Sequence, residues 1–212
     1  MRLTVFGATG GIGGEIVRQA LASGHHVTAV VRDPARLAAT GDRLDVVRAD
    51  LTDAGALREA VAGRDAVLSG LGARGRADAR AGVATRLTVP VLRAMEAEGT
   101  RRLLVVSAAP LAPAVEREAL ADRVALALVS RVFKAVYDDL RALEAELARS
   151  ATDWTSVRPP RLLDTPLTGT YRTAVGRNPR GARRIGRADV AHAMLTMIDD
   201  AGTVKEGVGV AY

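Results

Sequence analysis

The 212-residue sequence has no cysteine, three histidines, two lysines and only 3% aromatic residues. Without cysteine there can be no disulfide, thiolate metal ligand or cysteine nucleophile. That absence fits a reducing compartment, and a cytoplasmic protein is expected. No apolar run approaches the ~18 residues that span a bilayer, and no basic segment leads into an apolar one at the start. Neither a membrane span nor a secretory signal is therefore expected. The net charge is +6, and Lys134 and Lys205 are the only cations besides arginine and histidine. Nucleic-acid binders cluster their cations and offer aromatic stacking surfaces. Here the arginines are scattered, so no nucleic-acid partner is expected. His25, His26 and His192 do not form a ligand set, and no metal is expected.

What is present is a regular alternation. Strand-like runs at Leu3–Phe6, His26–Val31, Leu44–Val47, Ala66–Ser69, Leu103–Val106, Trp154–Val157 and Val208–Tyr212 are short and nearly continuously apolar. Strands covered by helices on both faces read this way. Between them lie helix-like segments at Gly14–Ser23, Ala54–Ala62, Arg80–Glu98, Val132–Arg149 and Ala188–Ile198. Ile12, Ile16, Val17, Ala20 and Leu21 share one helical face, as do Val136, Leu140, Leu143 and Leu147. Repeated strand–helix units predict an α/β fold with a doubly wound parallel sheet. The length and 48% hydrophobic content suit one domain over residues 1–212. Residues 158–187, rich in Pro, Gly and Arg, read as a substrate-side loop region.

The first strand hands over to its helix through Gly7-Ala8-Thr9-Gly10-Gly11-Ile12-Gly13. Gly7 suits a tight turn out of the strand. Gly10 and Gly11 allow backbone amides to approach a diphosphate, and Gly13 lets the helix press onto the sheet. The helix N-terminus adds unpaired N–H groups and partial positive charge. No Gly-Lys-Ser/Thr follows, which argues against a nucleoside-triphosphate loop.

The later strand tips belong to the same crevice. The second strand ends Val31-Arg32-Asp33-Pro34-Ala35-Arg36. A carboxylate at this tip selects NAD, whereas arginine neutralises the 2′-phosphate of NADP. Arg32 and Arg36 favour NADP(H), with NAD(H) also admitted. Asp33 either serves a ribose or caps the following turn. Asp50, at the third tip, either accepts from adenine or caps its own helix. Gly70 and Gly72, at the fourth, leave room for adenosine.

VFGATGGIG, VTAVVRDPARL, VAGRDAVLSGLGAR, PPRLLDTPLTGTY and RADVAHAML together resemble the atypical single-domain branch of the short-chain dehydrogenase/reductase superfamily. This branch holds NAD(P)H-binding proteins of the biliverdin reductase B and flavin reductase kind. The resemblance runs along almost the whole chain and implies a Rossmann-type fold and reductase chemistry. By position it implies that Gly7, Thr9, Gly10, Gly11 and Ile12 hold the diphosphate, and that Arg32 and Arg36 hold the 2′-phosphate. Asp50, Leu51, Gly70, Leu71, Gly72 and Arg74 would contact adenosine, ribose or phosphate. Ser107 would sit by the nicotinamide, with Pro159 and Pro160 shaping its pocket. Arg161 stands where the family member has histidine; it removes a proton donor near neutral pH and suits an anionic substrate.

Two candidates remain for catalysis. Tyr137 is followed at helical spacing by Arg141, where commoner branches use Tyr and Lys; Arg is a poor proton relay but a charge that could stabilise a phenolate, and the alternative is a packing tyrosine beside a surface arginine. Ser107 is the stronger candidate for a polar contact to nicotinamide or substrate, unless its hydroxyl is a buried strand-end group bonded to backbone. The expected function is NADPH-dependent hydride transfer to a planar conjugated small-molecule acceptor, by a monomer or small homo-oligomer. The competing expectation is a non-catalytic NADP(H) sensor. A sugar-nucleotide epimerase is disfavoured by the short chain after the sixth strand.

Overall fold

The structure is a computed structural model that describes residues 1–73, 75–112 and 133–212. The strands, in chain order, are β1 (Arg2–Phe6), β2 (His26–Val31), β3 (Leu44–Arg48), β4 (Ala66–Ser69), β5 (Arg102–Val106), β6 (Asp153–Arg158), β7 (Arg161–Leu163), β8 (Arg172–Val175), β9 (Arg184–Gly186) and β10 (Glu206–Ala211). The helices are α1 (Gly11–Ala22), α2 (Ala54–Val61), α3 (Arg76–Arg80), α4 (Val83–Glu98), α5 (Lys134–Arg149) and α6 (Arg187–Thr196). Eight strands form one sheet in the order β3-β2-β1-β4-β5-β6-β10-β8. All neighbours are parallel except β8, which runs antiparallel along β10. The strand order reverses between β1 and β4. In a doubly wound sheet the ligand crevice opens at that reversal, beyond the carboxyl ends of the strands.

The alternation of each strand feeds two cores. Leu3, Val5, Val27, Ala29 and Leu68 face α1 and α6, where they meet Ile16, Val17, Ala20, Val190 and Met194. Phe6, Val30, Val67, Leu103 and Val105 face α2, α4 and α5, meeting Leu57, Val91, Met95, Leu143 and Leu147. This two-sided burial is why the strands read as unbroken apolar runs.

The sequence expectations differ from the structure by more than two residues in three places. Helix α1 begins at Gly11, three residues before Gly14, because the glycines themselves form its first turn. The helix expected over Arg80–Glu98 is interrupted: Gly82 adopts φ +60° between α3 and α4. An L side chain rarely accepts that conformation, so the chain turns there. The region 158–187 is not only loop. It carries β7, β8 and β9, and β7 pairs with β9 outside the main sheet. Val132, the expected start of α5, and Arg74 lie outside the described residues.

Helix α4 has no capping side chain of its own. Instead Asp139 of α5, itself buried, accepts from the amides of Ala84 (2.9 Å) and Thr85 (3.0 Å). Among the described residues no helix is long and apolar enough to cross a membrane, and no group of acidic or histidine side chains could hold a metal ion.

Candidate functional site

Three glycines lock the turn between β1 and α1. Gly7 has φ +74°, and a Cβ there would lie 2.7 Å from the carbonyl carbon of Gly70. A Cβ on Gly13 would lie 2.1 Å from the Gly7 oxygen. One on Gly70 would lie 2.9 Å from the Gly13 nitrogen. Gly70 therefore serves backbone packing between β4 and α1. The N-cap of α1 is Gly10, which offers no side chain to the helix amides. The amides of Gly11, Ile12 and Gly13, in the first turn, lack intrahelical acceptors. They fit a diphosphate, which would satisfy them. Ile12 could take part only through its amide, because its side chain is buried in the core.

A cavity of about 340 Å³ opens beside this turn, lined by Thr9, Gly10, Gly11, Arg18, Arg36 and Ala38 among others. Its size lies in the range of small-ligand sites, about 300–1,000 Å³. It joins the first turn of α1 to the segment after β2. Arg32 and Arg36 are both exposed there. Asp33 caps the short 3-10 turn Pro34–Arg36, its Oδ1 accepting from the Ala35 amide at 3.1 Å. Asp50 likewise closes its own turn, accepting from the amide (2.9 Å) and hydroxyl (2.8 Å) of Thr52. Those two bonds, with the Arg32 charge adding a smaller pull, hold its carboxyl below the usual range. The side chain of Leu51 is buried in the core with Val30 and Leu57, so any contact it makes to adenosine is through backbone. Leu71 packs against that same core, and Gly72 is exposed. Arg74 lies outside the described residues.

A family model described as NAD(P)H-binding matches residues 7–201. The chain belongs to this NAD(P)H-binding family. A solved structure of a candidate exported protein from Burkholderia pseudomallei is 27% identical over all of both chains, with a TM-score of 0.78. A candidate NADH-flavin reductase from Streptococcus pneumoniae is 25% identical, over 100% of this chain and 99% of that one, with a TM-score of 0.79. An oxidoreductase from Lactococcus lactis is 17% identical, over 100% and 90%, with a TM-score of 0.83; it shares the fold.

In this NAD(P)H-binding protein the tip of β5 is tied to a polar cluster. Ser107 is buried, and its hydroxyl donates to Glu144 Oε1 of α5 at 2.8 Å. Glu144 also accepts from the Ser156 hydroxyl (2.6 Å) and from Arg158 Nε (2.9 Å) and NH2 (2.7 Å). Burial pushes the Glu144 carboxyl up, but Arg158, Ser156 and Ser107 outweigh it and leave it below the usual glutamate range. A donor engaged this way leaves the Ser107 oxygen with lone pairs to offer. It can accept an amide N–H but is poorly placed to give a proton.

Tyr137 and Arg141 do not form a charge-assisted pair; the arrangement is that of a packing tyrosine beside a surface arginine. Arg141 NH1 donates to Asp138 Oδ1 at 2.9 Å. The Tyr137 ring instead neighbours Phe133, with centroids 6.4 Å apart, and burial raises its phenol pKa. That direction is opposite to what proton donation near neutrality requires. Tyr137→Phe is accordingly expected to leave any NAD(P)H oxidation within about twofold of the parent protein. Steady-state rates between pH 6 and 9 check this, and a tenfold loss would restore Tyr137 as the acid.

On the far side of the crevice, Pro159 is buried, Pro160 half-buried, and exposed Arg161 opens β7 in register with Arg184 of β9. The loop after β7 is held by Asp189 of α6. This fully buried carboxylate accepts from the amides of Thr168 (3.1 Å) and Gly169 (2.8 Å) and from the Tyr212 hydroxyl (2.6 Å). A separate cavity of about 500 Å³ lies against this loop, lined by Thr168, Thr170, Tyr171, Arg172 and Tyr212.

Sequence reasoning missed Arg18, Glu144 and Arg158. Arg18 follows Gly14 by one helical turn, and Glu15 beside it lines the same cavity and pairs with it at 2.6 Å. Its spacing from the glycine turn was a usable signal. Glu144 and Arg158 sit on a helix and the following strand, and no spacing rule joins them.

Proposed function

We propose that the chain is an NADPH-dependent oxidoreductase that transfers hydride to a planar conjugated acceptor such as a flavin, quinone or tetrapyrrole. The observation that carries this reading is the uncapped first turn of α1, opening into a cavity that reaches Arg36. Family membership supports the dinucleotide, and the name of the Streptococcus pneumoniae protein supports a reductase. When bound, the nicotinamide would supply the hydride. The amides of Gly11, Ile12 and Gly13 would hold the diphosphate, and Ser107, held by Glu144, would accept from the carboxamide and orient the ring. Pro159 and Pro160 would wall the pocket and exclude water. Two arginines in register at Arg161 and Arg184 favour an acceptor carrying an anionic group. With Ser107 donating to Glu144 and the Tyr137 phenol pKa raised, the proton that accompanies hydride is assigned to solvent.

NADP(H) is preferred because Asp33 spends its carboxylate on the backbone while Arg32 and Arg36 stay exposed. The double variant Arg32→Ala/Arg36→Ala is expected to weaken NADPH about a hundredfold, with NADH changed less than about threefold. Nicotinamide fluorescence titration measures both; equal losses would remove the NADP assignment. Stopped-flow oxidation of NADPH with flavins and quinones tests the reaction itself.

The engaged donor at Ser107 and the raised Tyr137 phenol favour a second reading, an NADP(H) sensor that reports redox state to a partner. It requires tight binding without turnover, together with a partner whose affinity differs between NADPH and NADP. A partner indifferent to the nucleotide would end it.

A further inference from the structure

We propose that Arg187 is a diphosphate-binding residue, held in reserve by Asp164 until the nucleotide arrives. The inference rests on the dinucleotide reading above and adds a residue that neither the glycine motif nor the strand tips point to. Arg187 heads α6, which packs along α1, so both helices begin at the carboxyl edge of the sheet. Its side chain lies across Gly11. A Cβ built on Gly11 would come 2.6 Å from Arg187 Cδ and 2.9 Å from Nε. The arginine thus occupies the space that a side chain at Gly11 would enter. The outer part of its side chain lies there, and the guanidinium stands beside the first turn, whose amides lack intrahelical acceptors.

At present that guanidinium donates through NH1 to Asp164 Oδ1 at 2.6 Å. The Asp164 side chain is 88% exposed and that of Arg187 is 31% exposed. Exposed ion pairs of this kind contribute little, about 0–1 kcal/mol. A diphosphate carries two negative charges and several acceptor oxygens at fixed spacing. It suits a planar fork far better than one hydrated carboxylate does. Rotation about the terminal bonds of Arg187 would carry the guanidinium from Asp164 towards the diphosphate while its stem stayed on Gly11. Asp164 is therefore a competitor, and its charge lowers dinucleotide affinity.

The test is a double-mutant cycle read by NADPH fluorescence titration and calorimetry on the full chain. Arg187→Gln is expected to weaken NADPH about tenfold, and Asp164→Asn to tighten it about threefold. In the Arg187→Gln background, Asp164→Asn should have no effect. Adenosine 2′-monophosphate, which carries no 5′-phosphate and leaves the diphosphate subsite empty, should respond to neither variant by more than about twofold. Asp164 is so exposed that its variant tests the idea even if Arg187→Gln folds poorly. If the parent protein binds NADPH but both single variants bind within twofold of it, the proposal is overturned and the dinucleotide reading stands. If the parent binds neither NADPH nor NADH, both fall together.

Discussion

Gly13→Ala is expected to melt roughly 10 °C below the parent protein and to bind NADPH too weakly to titrate. The added Cβ would sit 2.1 Å from the oxygen and 2.5 Å from the carbon of Gly7, with the Ala8 nitrogen at 3.0 Å. All three atoms are backbone, so no rotamer change relieves the clash. Either α1 lifts from the sheet or the β1 turn opens, and each displaces the amides that face the cavity. Overpacking against immovable atoms costs about 3 kcal/mol. Gly72→Ala is the matched control. It meets nothing within 4 Å, so its stability should stay within about 0.5 kcal/mol of the parent. Thermal melts of the two variants side by side check the argument; equal melting temperatures would remove the packing role of Gly13.

Glu144→Ala should cost about as much by a different route. Glu144 and Arg158 are mostly buried, at 16% and 12% side-chain exposure, and one carboxylate oxygen accepts three bonds. Removing it strands the guanidinium, which lies over Gly207 with little water to replace its partner. Breaking such a pair costs about 3–5 kcal/mol, whereas replacing both members with apolar groups can be nearly neutral. Glu144→Leu/Arg158→Met should therefore be more stable than Glu144→Ala alone. The acid limb adds a second check. The folded carboxyl sits below its ordinary value of 4.5, so its contribution is complete above that value. It is lost as pH falls through the depressed folded value. The stability gap between parent and Glu144→Ala should be constant near neutrality and shrink on acidification below 4.5. A gap that does not narrow there would mean that Glu144 acts through packing rather than charge.

The parallel strands were legible in the sequence because burial on both faces leaves continuous apolar runs such as His26–Val31 and Ala66–Ser69, whose limits match the structure. The glycine turn was legible because strand, glycines and helix follow one another directly. The strands within 158–187 were not. β8 is RTAV on a sheet edge, with exposed residues and no apolar alternation, and it exists because β10 supplies a partner. Gly70 also packs on the backbone of Gly13, 57 residues earlier, and only the fold brings them together. The same holds for Ser107 with Glu144 and for Gly11 with Arg187. A strand-end serine and an uncapped glycine announce themselves locally, but the side chains that complete them arrive from distant positions.

The carboxylate that closes α4 from outside has a consequence for synthesis. Asp139 emerges from the ribosome more than 50 residues after the Ala84 amide it accepts from. Until then the opening of α4 presents bare donors, and the nascent sheet carries its helices on one side incompletely fastened. The first half of the chain thus gains the cap of α4 only when the second half reaches back to it.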